Sequence, residues 1–476
     1  MDNEEKNLPL NCRQRVVHSN SVRPQYAISE EAFMKTRMSC IAHGLAMTIA
    51  LLGVTAASFA QNCIDGLPIR PTYTSGSYQE WGSAGVAVLG SDILLATNQV
   101  GSGTVAVMRL SGTSGVTQQA QIATGQVDAF RAAGDTFFVG SGGTGNGSVR
   151  VYRRQTTGSY SLATTINGPV ANEYFGDRLA VNEDATVLVV GARNAGTAPN
   201  AAAGKAYVYA RNITTGAWAL EATLQSPSGP VFNTYFGKTV SASGQRVAVS
   251  EGGSASVRIF LRTGTIWALE NSVANSSGST STSYNREVHL SGDTLWLRDT
   301  QTARFDVFGR SGTAWPLQQT LVLSSVSAMS FANGVMCTST RVSSPVNGIQ
   351  VQAFRRSGSG QQWSNFATMY TPALDETDTV NLAMAGDLVV IDASLLNYGS
   401  VVNFGAAFLF DINFTDCNGN GVRDECDIAS GSATDANSNG VPDSCENLCR
   451  MDVNGDGVVN GADLGLVLGA WGQCPN

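Results

Sequence analysis

Through the body of the chain, apolar and polar residues alternate in short runs, and each run stops at a polar turn. Tyr174 to Val181 and Thr186 to Gly191 are typical: apolar residues recur on alternate positions, such as Phe175, Leu179 and Val181, or Val187 and Val189, the period of a half-buried strand. Comparable runs flank Gly134-Asp135, Ser243-Gly244, Ser291-Gly292-Asp293, Asn333-Gly334 and Gly386-Asp387, all residues suited to tight hairpin turns. A longer phrase follows each such pair. At Val208 to Leu220 it reads V-Y-A-R-N-I-T-T-G-A-W-A-L, a strand ending in an aromatic residue and an arginine, a Gly turn, and a strand opening on Trp218. The phrase recurs as Tyr152, Arg154, Gly158 and Tyr160; as Phe260, Arg262, Gly264 and Trp267; as Phe308, Arg310, Gly312 and Trp315; and as Phe354, Arg356, Gly358 and Trp363. Its aromatic positions fall roughly 46 to 58 residues apart, the signature of stacked copies of one supersecondary unit.

Counted by their second strand, the units fall at Asp92–Thr97, Thr136–Gly140, Thr186–Val190, Arg246–Ser250, Thr294–Arg298, Val335–Thr338 and Leu388–Asp392. About seven four-stranded antiparallel meanders of roughly 48 residues predict an all-β fold, a seven-bladed β-propeller, over residues 61–412. A solenoid is the alternative architecture, but it needs distinct polar caps that the sequence lacks. The last unit has strands at Val380–Met384, Leu388–Asp392 and Ala406–Ile412 and no fourth. The missing outer strand is expected from Leu67–Thr74, which would lock the first and last units together and set Cys63 beside Cys417.

Composition agrees: 14% charged residues and 52 glycines suit many short strands rather than helices. The net charge of −8 is unevenly spread. From Asp411 onward there are 11 acidic and 2 basic residues, which leaves 26 acidic against 27 basic before it. A neutral body offers no electrostatic footprint for nucleic acid, and an acidic tail rich in Asp, Asn and Gly suits a hard cation. Near the amino end, Lys35 and Arg37 precede an apolar run from Ile41 to Ala57, then Ser58-Phe59-Ala60. That pattern predicts a signal peptide over 34–60, translation starting at Met34, residues 1–33 as an upstream extension, and no membrane span after cleavage. A single membrane anchor is the other reading, disfavoured by the short run broken at His43.

Three loops in the tail share one spacing. Asp416, Asn418, Asn420, Asp424 and Asp427 take the first, third, fifth, ninth and twelfth places around Gly421. Asp435, Asn437, Asn439, Asp443 and Glu446 repeat it around Gly440, and Asp452, Asn454, Asp456, Asn460 and Asp463 around Gly457. Alternate side chains at this spacing point inward on a hard cation, and the carbonyls of Val422, Val441 and Val458 fall at the seventh place: the EF-hand arrangement, predicting Ca2+ as the bound ion. A helix is expected after the third loop, from the apolar Leu464, Leu466, Val467, Leu468 and Trp471.

Tyr174-Phe175-Gly176 with Val190-Gly191-Ala192, and Tyr235-Phe236-Gly237 in the next unit, resemble the Phe-Gly/Gly-Ala-Pro repeats of integrin-type propellers and their bacterial secreted relatives. That resemblance implies calcium in some blade hairpins, but Asn182-Glu183-Asp184-Ala185 is too short to wrap an ion, so no blade site is assigned. The first two tail loops, 413–448, resemble thrombospondin type 3 repeats, which are calcium-stapled spacers with a Cys near each loop end, here Cys426 and Cys445. The third loop and its helix, 449–476, resemble one half of a dockerin, which implies a cohesin-like receptor. Either the upstream loops replace the missing half, or this is a planctomycete-type anchoring tail with another partner. The expected disulfides are Cys63–Cys417, Cys426–Cys445 and Cys449–Cys474, with Cys337 left as a small buried side chain.

Candidate chemistry in the body is sparse. His289 lies in an alternating strand and reads as structural, and Asp375, Glu376 and Asp378 form one acidic loop that reads as a solvated turn. The repeated Trp and Arg residues read as blade packing, because a residue required by every blade most simply joins blades. Binding residues are expected where the repeat breaks, at Arg193–Gly204, Asn271–Asn285 and Ser339–Asn347. The function expected is that of a secreted, monomeric calcium-binding propeller that recognises or scaffolds an extracellular protein or glycan. The alternative is a polysaccharide-degrading enzyme.

Overall fold

The computed structural model describes residues 68–69, nearly all of 81–393 apart from short connections, 405–412, parts of 417–445 and 460–469. The expected leader, residues 1–60, lies outside the described residues. Seven four-stranded antiparallel sheets follow one another as the expected blades, numbered here one to seven: 85–123, 129–167, 178–224, 240–274, 286–322, 326–370, and 382–411 completed by Pro68–Ile69. The first strand of each blade packs on the first strands of its two neighbours, and those of blades seven and one also meet, so the ring is closed. Closure uses the expected device: Pro68 pairs with Phe408 and Ile69 with Ala407, which makes an amino-terminal strand the outer edge of the last blade.

The second strand of each blade forms the core. In Asp92–Thr97 and Val187–Ala192 every residue is buried, because both faces of a blade lie against other blades. The Phe-Gly sequences join blades through their backbone. Phe236 donates its N–H to Ala203 at 2.9 Å, and a Cβ on Gly191 would collide with the Gly237 carbonyl, so only glycine permits this approach.

The recurring phrase spans the third and fourth strands, and in six blades the fourth strand carries a bulge opposite the step into the aromatic position, as at Glu221, which is skipped between the pairs Val208–Ala222 and Tyr209–Leu220. A bulge adds twist, and the residues beyond it reach back to the preceding blade. Arg154 and the Tyr160 hydroxyl both bind Asp92 of blade one, at 2.8 and 3.0 Å. Arg262 and the Trp267 indole N–H both bind Glu221 of blade three, at 2.5 and 2.8 Å. Arg211 pairs with Asp135 at 3.1 Å, Arg310 with Glu270 at 3.1 Å, and Arg356 donates to the Thr294 hydroxyl at 2.8 Å. Burial alone would raise the Asp135 carboxyl, but hydrogen bonds from Arg153, Thr136 and Arg211 outweigh it and hold the group down at about 2. Its contribution is therefore complete above the ordinary Asp range and is lost as pH falls towards 2. The aromatic partners follow the same direction: Trp218 meets Phe138 edge-on at 5.6 Å, and Trp363 meets Trp296 at 4.6 Å.

At the last two boundaries the couple becomes apolar. Leu110 and Val116, paired like Arg211 and Trp218, pack with Leu388 and Leu409 of blade seven. Ile412, two residues past Phe410, packs in one cluster with Val335 of blade six. Polar and apolar partners have changed together on both sides of each boundary.

Asp92 is fully buried and serves Arg109, Arg154 and Tyr160 at once. The Asp92→Ala variant is expected to lose roughly 2 to 4 kcal/mol, because two guanidiniums keep their desolvation and lose their counter-charge. Urea unfolding of both proteins measures this, and a loss under about 1 kcal/mol would contradict the role given to the couple.

Candidate metal centre

The tail has little apolar material to bury, yet Asp424, Asp427 and Asp463 are almost wholly enclosed. Burying a carboxylate costs free energy unless a cation or donors compensate it. In the first loop the Cys417 N–H donates to Asp424 Oδ1 at 2.9 Å, while Oδ2 of the same carboxylate, buried, meets no partner among the described residues. The second loop repeats the first contact at the same spacing: the Ala436 N–H donates to Asp443 Oδ1 at 2.9 Å. There the Gly440 N–H also donates to Asp435 Oδ2 at 2.9 Å, across a turn in which Gly440 has φ 84°. A backbone donor from the second place thus fixes the ninth-place carboxylate in both loops, and the sixth-place glycine fixes the first in loop two.

In the third loop the Asn460 N–H donates to Asp463 Oδ2 at 2.8 Å, and Asn460 Oδ1 accepts from the Ala462 N–H at 2.7 Å, capping helix α1, Gly461–Gly469. Asp463 stands in the first turn of that helix, where the helix dipole favours a negative charge. Val441 lies in the turn of the second loop, half-buried. Asp416, Asn418, Asn420, Val422, Asn437, Asn439, Glu446, Asp452, Asn454, Asp456 and Val458 lie outside the described residues.

The donor set fits a hard divalent cation. It is all oxygen among the described members, and the buried Asp424 Oδ2 leaves a negative atom without a protein donor where the spacing puts a ligand. Such an ion would neutralise the enclosed carboxylates and hold the loops folded.

The cysteines differ from expectation. Cys417 is bonded to Cys445, with a Cα–Cα distance of 5.6 Å, so neither the Cys63–Cys417 nor the Cys426–Cys445 pairing forms. The bond ties the second place of loop one to the eleventh of loop two. These ends meet because the two loops fold against each other, rather than each loop closing on a neighbour in the chain or on the amino end. Spanning 28 residues, it removes chain entropy worth about 3.5 kcal/mol from the unfolded tail. Both sulfurs lie close to the Asp424 carboxylate, but oxidised sulfurs are not thiolate ligands, so the cation chemistry belongs to oxygen. Cys63, Cys426, Cys449 and Cys474 lie outside the described residues. Cys337 is a buried free thiol, pushed up to about 12 by burial.

Where described, the irregular segments share one face of the propeller. Those at 193–204 and 339–347 join second to third strands, and that at 271–285 joins a fourth strand to the next first strand; in an antiparallel meander all three connections lie on the same side. A cavity of about 360 Å3 opens there between blades five and six, lined by Ser325, Thr340, Arg341, Gln350 and Gln352 among others. Asp375, Glu376 and Asp378 lie outside the described residues. His289 rests against Phe331 at 4.8 Å, and burial, helped by the charge of Arg131, lowers its imidazole to about 3.

The fold and the loops together define a seven-bladed β-propeller with an acidic tail suited to a hard cation. No protein-family model matches the chain, and no curated protein does. Among solved structures, a periplasmic gluconolactonase of Pseudomonas aeruginosa aligns with 15% identity and a TM-score of 0.44, covering 64% of this chain and 88% of that one. Sqt1 of Saccharomyces cerevisiae aligns with 9% identity and a TM-score of 0.43, covering 72% and 86%. Among the described residues no helix is long and apolar enough to cross a membrane.

Replacing Asp424 by Ala removes the carboxylate with the unanswered oxygen. Calorimetric titration of the full chain with CaCl2 is expected to show at least about a tenfold loss of affinity at one site. An unchanged isotherm would exclude Asp424 as a ligand.

Proposed function

We propose that this protein is a secreted recognition or scaffold module whose calcium-folded tail anchors it in an extracellular or envelope assembly. The observation that carries the reading is the buried Asp424 carboxylate with one oxygen held by Cys417 and the other unanswered. Three loops of the same spacing and a net-negative tail support it. The helix after the third loop supports the anchoring role: Leu464, Leu466, Val467 and Leu468 are all exposed, an apolar set that a soluble tail would not keep without something to dock on. The propeller then presents its loop-bearing face to an extracellular protein or glycan. Its Phe-Gly contacts between blades favour kinship with the integrin-type propellers, and the tail loops favour kinship with thrombospondin type 3 repeats and dockerins.

Sedimentation of the full chain with isolated cell envelopes tests this. Binding is expected in millimolar calcium, release on adding EGTA, and weak binding by the Asp424→Ala variant in either condition. Binding indifferent to EGTA, or cleavage of a polysaccharide by the purified chain, would overturn the anchored-scaffold reading.

A further inference from the structure

The first strands of the seven blades line the lumen, and most of them are uncharged: Gly85–Leu89, Val240–Ser243, Val326–Ala332 and Leu382–Ala385 carry no ionisable residue. Among the described side chains of these strands the charges are Arg131 in blade two, Arg178 in blade three and Glu287 in blade five. Glu287 is committed to Arg298 at 2.9 Å. Neither arginine makes a direct ion pair among the described residues, although the charge of Arg178 reaches the Asp177 carboxylate. Arg131 donates to the carbonyl of its own neighbour Phe130 at 2.7 Å, and Arg178 to that of Asp177 at 2.7 Å. The Asp177 carboxylate is taken by Arg193 at 2.7 Å.

This contrasts with the blade boundaries, where arginine after arginine meets a carboxylate. Arg131 and Arg178 stand on adjacent first strands and act on each other as like charges; burial first, and then Arg178, lowers the Arg131 guanidinium, and Glu287 only partly offsets them. Arg131 keeps exposed surface although protein surrounds it, as a side chain in a narrow wet channel does. Its charge also acts on His289, which stands on the first strand of blade five. Holding two like-charged guanidiniums in a confined channel, with only the shared carboxylates of Glu287 and Asp177 acting on them and no direct ion pair, is unfavourable for folding, and such local conflicts mark sites kept for a ligand. Arg178 opens its strand, so it stands at the face that carries the irregular connections, while Arg131 lies two residues deeper than the start of its own strand.

We propose that the lumen is an oxyanion site, in which Arg131 and Arg178 grip a carboxylate or phosphate group of a small ligand entering from the loop-bearing face. The guanidinium fork matches both groups bidentately. The neutral His289 offers one further donor or acceptor without adding charge. The proposal is independent of the calcium reading of the tail.

The test uses the full chain at low ionic strength, where surface charges do not mask binding by salt competition. Calorimetric titrations with inorganic phosphate, with glucuronate and with glucose are compared, and melting is followed with each. Phosphate, glucuronate or both are expected to bind and to raise the melting temperature, while glucose does neither; the stronger of the two anions identifies the group recognised. Arg131→Gln and Arg178→Gln are each expected to weaken that binding by about tenfold or more. Arg131→Gln without ligand is expected to melt no lower than the parent, because it removes a like-charge contact. Absence of binding by both anions, or equal anion effects in the parent and in both variants, would overturn the proposal. Unaided melting of Arg131→Gln well below the parent would overturn it as well, since it would make Arg131 a structural residue.

Discussion

An arginine that reaches across a blade boundary to a carboxylate of the preceding blade is the contact on which this propeller depends. A four-stranded sheet alone has two apolar faces and an unpaired outer edge, and it becomes stable only when a neighbour covers each face. The bulge in the fourth strand, opposite each aromatic position, twists the end of the hairpin so that Arg154, Arg211, Arg262 and Arg310 meet Asp92, Asp135, Glu221 and Glu270. The adjoining Tyr or Trp covers the same boundary, so one short phrase supplies both the polar and the apolar part of the joint. Because the carboxylates are partly or wholly buried, the joint also fixes which blade follows which, a specificity that apolar packing alone would not give.

The two boundaries that flank blade seven depart from this scheme together on both partners. Leu110 stands at the arginine position and Leu388 where blade one has Asp92, while Ile412 meets Val335. Blade seven is also the composite blade, with its outer strand contributed by Pro68–Ile69 from the other end of the chain. Closure is the most entropically costly contact to form, since it joins segments more than 300 residues apart, as Pro68 and Phe408 are. Non-directional apolar packing tolerates small errors of approach better than a charge pair does, and it leaves no buried carboxylate unsatisfied while the ring is still open.

Much of this was legible in residues. Alternation located the blades, the repeated phrase identified the joint, and the missing fourth strand of the last unit pointed to the amino end. The partners of the arginines were not legible, because Asp92 and Asp135 sit near the start of second strands whereas Glu221 and Glu270 lie on outer strands, and only the stacking of blades brings both kinds to one place. The disulfide was misassigned for the same reason: Cys417 and Cys445 are brought together by one loop folding on the next, which spacing within either loop does not encode. Arg131 and Arg178 look unremarkable in sequence, and the shared lumen alone makes them a pair.

The protein thus combines a propeller held by its own charge pairs with a tail whose enclosed carboxylates, on the proposed reading, would be neutralised by a bound ion. Hydrogen exchange on the full chain, with calcium and with EGTA, tests that division most directly. Amides such as those of Cys417, Ala436, Gly440 and Asn460, which donate to tail carboxylates, are expected to lose protection in EGTA, while the second strands of the blades exchange at the same rate in both conditions. Tail amides equally protected with and without calcium, or blades that open when it is removed, would contradict that division.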